Sequence, residues 1–448
     1  MPDFKFRRLP LTPFEEYMLL DDRPAYPMNF FIRLCFSGRL DPVAMGTALA
    51  QALARHPLLT VVARKHGWRW VWQPAECQPR MLHGPGPPSL LYPPMKPLDV
   101  RLEPGLRLIM RQDDARADLT FQFHHACCDG LAGILFAKDV GLLYMQIIGQ
   151  TPLPRLPPLN PGLLLRRNSF GPTLRKMLKL LPRWGIALRG AREFTTHRPE
   201  PIRPHESDWS ASAPHAEYPA ACIRELSPGE SARFVEGARR RAVSPNELLL
   251  RDFFLALDRW QRRHLPGRER HRLRVSVPIN LRPLTARHLP AANAVSMVFL
   301  DRHPEQLEDP DGLLDTVHRQ MDIILERQLG LSFLLSLQLA RWWPGGLARR
   351  VQNRQWRASA VFSNMGTILE RLSQHYPDGC IRLGTATLEG VDGLVPLRPG
   401  TAVAVSVFKY AGRLKAALHY DPRVLTRPEG EELMDGFMAC LRDSGGSH

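Results

Sequence analysis

In the stretch FQFHHACCDG, residues 121–130, two histidines stand side by side, with Asp129 four residues beyond the second and Gly130 after it. An imidazole has an ordinary pKa of ~6.5, which makes histidine a competent base near neutral pH. Read at period two, Leu119, Phe121, Phe123 and His125 share one face of a strand, while Thr120, Gln122 and His124 share the other. His125 therefore ends an apolar face and His124 a polar one, just before an Asp-Gly turn. A side chain at such a strand end can reach into a cleft. Two readings stand for the pair: hydrogen-bonded residues of the fold, or a base at a site. No GxSxG elbow stands elsewhere in the chain.

A base at a strand end needs a strand to carry it and a helix to brace it. ADLTFQFH supplies the strand, and residues 131–149, LAGILFAKDVGLLYMQIIG, have helical period. Upstream, FFIRLCFSG (30–38) alternates like a strand; Asp41 then stands as an N-cap before Pro42, opening a helix that Pro57 stops. LLTVVARK, GWRWVWQ and GLRLIMRQ are expected strands, with Trp68, Trp70 and Trp72 on one face, and the Pro-rich residues 77–97 are expected to be loop. After a compositional break at 150–205, Ser227, Pro228 and Glu230 stand in capping-box register, and Ser244, Pro245 and Glu247 repeat the device. A strand at 272–283, the strand NAVSMVFL, two helical stretches across 311–341 and a strand at 359–366 follow. CIRLGTATL, TAVAVSVFKY, RLKAALHY and a helix over 428–441 close the chain. Both halves mix helices with strands.

With 448 residues, 44% of them hydrophobic, the chain can bury cores for two or three domains. Sixty Lys and Arg against 44 Asp and Glu give a formal charge of +16, an excess that favours an anionic partner. The seven cysteines form no CxxC pair and no regular spacing, which argues against a disulfide framework or a zinc site and fits a reducing cytosol. The N-terminus has no sustained apolar core and does not read as a signal peptide. The nearest approach to a spanning run, LGLSFLLSLQLARWW (329–343), holds Gln338 and Arg341. A soluble or peripheral protein is expected.

HHACCDG resembles the HHxxxDG motif of acyltransferases that share the chloramphenicol acetyltransferase fold: condensation domains, wax ester synthase/diacylglycerol acyltransferases and polyketide-associated acyltransferases. Further pieces fall in the same order: LTPFEEYMLLDD resembles the opening helix of these proteins, LARHPLL (53–59) their RHP helix end, VPINLRP (277–283) their second-lobe VPVNLRP, and FSNMG (362–366) their SN-G strand. The resemblance implies an α/β fold with mixed sheets, in which two lobes form a pseudo-dimer around a central channel. Residues 1–160 would be the N-terminal lobe with the motif, 161–205 a basic linker or crossover, and 206–448 the C-terminal lobe.

It also implies roles. His125 is the general base, taking the proton of a hydroxyl or amine as it attacks a thioester. Asp129 pairs with Arg282 and, with His124 and Gly130, shapes the loop. Asn364 is either a polar group of the channel or oxyanion, or a turn-former. No metal and no bound cofactor are implied; acyl-CoA or a phosphopantetheinyl thioester on an acyl carrier protein is the co-substrate, and an alcohol or amine the acceptor. The function so implied is acyl transfer from a thioester, with acyl-CoA favoured, to a hydroxyl of a lipid or secondary metabolite. Two alternatives stand beside it: a stand-alone condensation-type synthase of amides or esters on carrier-protein thioesters, and a non-catalytic lipid- or carrier-binding homologue. The chain is expected to be monomeric. Two features depart from the pattern: the Cys127-Cys128 pair inside the motif, which reads as two small buried side chains, and MGTI after the asparagine, where wax ester synthases tend to carry a proline.

Much of the positive charge lies in residues 163–192, where Lys and Arg alternate with leucines around Pro182. Such a mixture suits either an interfacial helix on an anionic bilayer or a crossover helix with a solvated basic face. Nucleic acid is not expected, because the aromatic residues are scattered and no recognition motif is present. The expected location is cytoplasmic, either free or peripheral at the inner face of the membrane.

Overall fold

The computed structural model describes residues 8–84, 87–88, 92, 94–151, 155–170, 199–204, 213–282, 288–352 and 358–446. Most of the basic stretch 163–192, from residue 171 onward, lies outside the described residues.

Helix starts follow local chemistry. Helix α1 (Pro13–Asp21) begins where the Thr12 hydroxyl accepts the Glu15 N–H and Glu15 reaches back to the Thr12 N–H. Asp41 caps α2 (Pro42–Arg55) and Asp129 caps α3 (Gly130–Ile147). The Ser227 and Ser244 boxes open α4 (Pro228–Arg240) and α5 (Pro245–His264). Helices α6 (Pro310–Glu326), α7 (Gly330–Trp342), α8 (Gly346–Gln352), α9 (Glu370–Ser373) and α10 (Arg427–Gly445) complete the set among the described residues. The last continues past the expected Leu441, and α8 was not anticipated.

The strands are β1 (Leu9–Pro10), β2 (Asn29–Ser37), β3 (Val61–His66), β4 (Arg69–Pro74), β5 (Met81–His83), β6 (Leu106–Gln112), β7 (Arg116–His124), β8 (Ala221–Leu226), β9 (Leu273–Asn280), β10 (Val295–Arg302), β11 (Ala360–Thr367), β12 (Arg382–Leu383), β13 (Ala386–Leu394), β14 (Val403–Tyr410) and β15 (Arg413–Tyr420). They form two mixed six-stranded sheets, ordered β12-β13-β2-β7-β6-β5 and β10-β9-β11-β14-β15-β8, and a small sheet β1-β4-β3. Two expectations are corrected here. The Pro-rich stretch 77–97 is not all loop, since β5 within it pairs in parallel with β6. The three tryptophans do not share one environment: Trp68 sits in the turn before β4 and is 74% exposed, whereas Trp72 is buried with its indole N–H donated to Glu15.

Each large sheet buries one face under helices. Phe30, Ile32, Leu34 and Phe36 of β2 join Leu119, Phe121 and Phe123 of β7 in the first core, beneath α2 and α3. Full burial of each such side chain contributes roughly 1.5–3 kcal/mol. Helix α3 is long and apolar enough to cross a membrane by composition, and it is mostly buried as part of this core. The second core gathers α5, α6 and α10 on β9, β11, β14 and β15.

The opposite face of the first sheet is polar yet buried, carrying Arg33, Asp118, Thr120, Gln122 and His124. Burial there follows from the way the halves exchange strands. β13 leaves the second half of the chain and pairs antiparallel with β2, from Thr387 opposite Ser37 to Leu394 opposite Phe31. Residues 206–448 therefore do not make one lobe in space: β12 and β13 complete the first sheet, and the joint between the lobes runs along them.

Candidate functional site

His125 lies one residue past β7, where its backbone N–H donates to Met28 O at 2.7 Å. Phe30 and Phe14 present ring edges to it, with centroids 5.3 and 6.4 Å away. The imidazole lines a cavity of about 130 Å³ between the two sheets, walled by Phe14, Met18, Phe31, Met297, Leu394 and Phe408. Of its two nitrogens, Nδ1 is sealed from solvent without a hydrogen-bond partner. Burial holds the ring below the ordinary imidazole pKa, against the opposing pull of its own carbonyl and of Asp129. Burial thus favours the uncharged ring, the state a base requires.

Asp129 makes three bonds at once. Its Oδ1 caps α3 by accepting the Ala132 N–H at 2.9 Å and accepts Arg282 Nη1 at 2.6 Å, while Oδ2 accepts the Ala294 N–H at 2.7 Å. The structure thus brings together Asp129 and Arg282, 153 residues apart in sequence, and joins the motif loop to the second half of the chain. Arg282 also donates to the Ala292 carbonyl. Gly130 has no left-handed backbone; a Cβ there would lie 2.9 Å from the end of the Met365 side chain, so the glycine serves close approach across the cavity rather than a tight turn.

His124 points to the polar face and is fully buried. Its Nδ1 accepts the Ala126 N–H at 3.1 Å, and its Nε2 lies 3.4 Å from Asp22. Burial alone would raise Asp22, but His124, Arg101 and the Met28 N–H together bring it down to about 2. Asn364 lines the cavity with both ends of its amide engaged: Oδ1 accepts the Gly366 N–H at 2.8 Å, and Nδ2 donates to Asn246 on α5 at 3.1 Å. Cys127 and Cys128 are fully buried.

Sequence reasoning passed over three residues of the site. Asn293 donates Nδ2 to the carbonyls of both His125 and Ala126 at 2.9 Å. Asn246 holds Asn364. His56, in the RHP segment, accepts the Ala291 N–H on Nδ1 at 2.9 Å and contacts Asp139 through Nε2 at 3.1 Å, so α2, α3 and residues 288–294 are tied at one imidazole. The RHP motif was a usable signal for His56; the asparagines stand in no pattern of their own.

Of the basic residues in 163–192, Arg166 and Arg167 fall among those described, and Arg166 is exposed. Arg167 is not a solvated charge: its guanidinium is buried and paired with Glu15 on α1 at 2.7 Å. Among the described residues, a group able to hold a metal ion, Glu247, His318 and Asp322, lies away from the cavity lining. There His318 already bridges the two carboxylates, at 3.2 and 3.4 Å.

A second, larger cavity of about 830 Å³ runs along the same β2–β13 pair and is lined by charges of both signs, among them Arg116, Arg224, Glu225, Glu389 and Lys415. Its lining includes Arg33 and Asp392, paired at 3.1 Å and almost fully buried. Tyr92 donates its hydroxyl to Asp392, and its ring lies under Arg33 at 4.5 Å.

Residues 291–443 match the sequence model of the family described as WS/DGAT C-terminal domain. A comparison with curated protein sequences finds no match. Among solved structures, polyketide synthase associated protein 5 from Mycobacterium tuberculosis superposes with a TM-score of 0.65 at 15% identity, over 98% of each chain. Trichothecene 15-O-acetyltransferase from Fusarium sporotrichioides gives 0.68 at 12% identity, over 99% of this chain and 97% of that one. The first condensation domain of the calcium-dependent antibiotic synthetase gives 0.67 at 14%, over 98% and 96%. At such identities the likeness establishes the fold.

Proposed function

From the premise of a chloramphenicol acetyltransferase-type fold whose residues 291–443 match the WS/DGAT C-terminal domain, we propose that this chain transfers an acyl group from an acyl thioester, acyl-CoA by preference, to a hydroxyl of a lipid or secondary metabolite. The observation that carries the reading is an imidazole set in the wall of an apolar cavity between the lobes, held by burial below its ordinary pKa on a loop clamped by Asp129 and Arg282.

His125 takes the hydroxyl proton as the oxygen attacks the thioester carbonyl. The resulting imidazolium gives that proton to the departing thiolate, whose conjugate acid has a pKa of ~8.5, so the ring ends as it began. Assistance of this kind is worth ~10²–10⁴-fold in rate. The apolar walls suit an alkyl or similar acyl chain, and they exclude water that would compete for the thioester. With its amide nitrogen engaged by Asn246, Asn364 is better suited to shaping the wall than to stabilising an oxyanion.

The condensation-domain likeness favours a second reading, amide or ester formation on a carrier-protein thioester. A non-catalytic lipid- or carrier-binding role is the third. Cytoplasmic location with peripheral attachment to an anionic membrane surface, through the basic stretch, belongs to the same proposal. The test is to incubate the purified chain with acyl-CoAs of several lengths and a panel of alcohols and amines, reading products by mass spectrometry. Ester product with acyl-CoA alone is expected, and its loss in His125→Ala with an unchanged melting temperature. Product only with an acyl carrier protein would select the second reading; undiminished product from His125→Ala would remove the base.

A further inference from the structure

Two polar atoms beside the proposed base have no stated use. His125 Nδ1 and Asn293 Oδ1 are both sealed from solvent, and neither has a partner at full hydrogen-bond geometry, although the Asn293 side chain and the ring's own backbone lie close enough to favour a proton on the ring. Buried polar groups are rarely left so, because an unpaired one forfeits the hydrogen bonds it made to water.

The side chain of Asn293 cannot turn freely. Its Nδ2 donates to two carbonyls, those of His125 and Ala126, and reversing the amide would set Oδ1 against two oxygens. The backbone around it is also fixed, because the Ala291 N–H is held by His56, the Ala292 carbonyl by Arg282 and the Ala294 N–H by Asp129. A carbonyl oxygen is thus delivered on a rigid support to the residue whose ring nitrogen lacks an acceptor.

The tautomer gives that oxygen a task. A neutral imidazole carries one N–H and one lone pair, and Nε2 can accept a substrate proton only when the hydrogen sits on Nδ1. A sealed Nδ1–H needs an acceptor. Hydrogen bonds of this kind are often long in a ligand-free protein and tighten in the reacting complex.

We propose that Asn293 is a positioning residue for His125: its Oδ1 accepts the Nδ1–H of the ring as the reacting complex forms, fixing the tautomer with the Nε2 lone pair free for the substrate. This rests on the base reading above. The charged and titratable groups facing the ring are Asp129, itself held by Arg282, and His124, whose Nδ1 accepts the Ala126 N–H. The rival acceptor is His125's own carbonyl.

Asn293→Ala and Asn293→Asp both lose the two bonds to the carbonyls, but a carboxylate at 293 raises the ring by its charge under either role, so the Ala variant discriminates: a purely structural role leaves the acid limb unmoved there. The positioning role predicts opposite displacements in the two. In Asn293→Ala, kcat falls by up to about 10²-fold with little change in KM, and the acid limb of the kcat/KM profile moves to lower pH. In Asn293→Asp the limb moves to higher pH, by about one unit. Displacement in the same direction, or none, overturns the proposal. Should either variant fail to fold, the wild-type chain decides by ¹⁵N NMR of its histidine rings, with His125 assigned by its loss in His125→Ala. Hydrogen on Nδ1 is expected, and hydrogen on Nε2 overturns it. Full activity in His125→Ala would instead fell the base reading, whereas an inactive His125→Ala with unmoved Asn293 profiles would fell this inference alone.

Discussion

Cys127 and Cys128 follow the proposed base within three residues, yet burial pushes both thiols well above their ordinary pKa, so neither forms the thiolate that reacts. They pack as small apolar side chains: a Cβ at Gly105 would come within 2.1 Å of Cys127 Sγ, so the loop has no slack there. Cys77, by contrast, is exposed. Alkylation of the native protein followed by peptide mass spectrometry should therefore mark Cys77 within minutes and leave Cys127 and Cys128 untouched until denaturant is added. Labelling of either in the folded chain would mean that the motif loop opens. At this scale the sequence revealed the groups that stand in a motif, His125, Asp129 and Arg282, but not Asn293 or Asn246. Those two act through main-chain carbonyls and through another amide, contacts that impose no spacing on the residues around them.

The element that holds the site is the N-terminus of α3. One carboxylate, Asp129, caps that helix, pairs with Arg282 and fixes the Ala294 N–H, so the helix start and residues 288–294 share a single support. Removing it leaves a largely buried guanidinium unpaired, with Arg282 Nε already lacking a partner. Asp129→Ala should lose about 3–5 kcal/mol in denaturant unfolding, whereas Asp129→Asn, which keeps an oxygen for the Ala132 N–H, should lose less. Equal and small losses would show that the clamp does not bear on stability. Capped helices such as those opened by Asp41, Ser227 and Ser244 were legible because a cap and its helix are adjacent in sequence. Strand β5 was hidden among prolines, and the partner of β13 was hidden altogether, since nothing within CIRLGTATL distinguishes pairing with its own half from pairing with β2.

Across the whole molecule, the exchanged strand makes the joint between the lobes a buried surface, and a histidine buried beside it should add to the protein's response to acid. His419 on β15 donates Nδ1–H to the Val395 carbonyl just beyond β13, while its Nε2 is sealed without a partner. Burial brings this imidazole down to about 4. The unfolded chain takes up the proton near pH 6.5 and the folded chain only near pH 4, so unfolding is favoured progressively as pH falls through that window. A displacement of this size corresponds to ~3 kcal/mol, fully lost below the folded value. His419→Gln can still donate to Val395 but cannot be protonated. Its melting temperature should match the wild type at pH 7.5 to within the cost of the substitution, then fall less steeply between pH 6.5 and 4. His56, held below its ordinary pKa first by burial, keeps part of the slope in the variant, because its Nδ1 must stay unprotonated to accept the Ala291 N–H. Parallel curves for the two proteins would place the acid sensitivity elsewhere than the joint; a variant that gains on the wild type as pH falls would locate it where β15 meets the strand that crosses between the lobes.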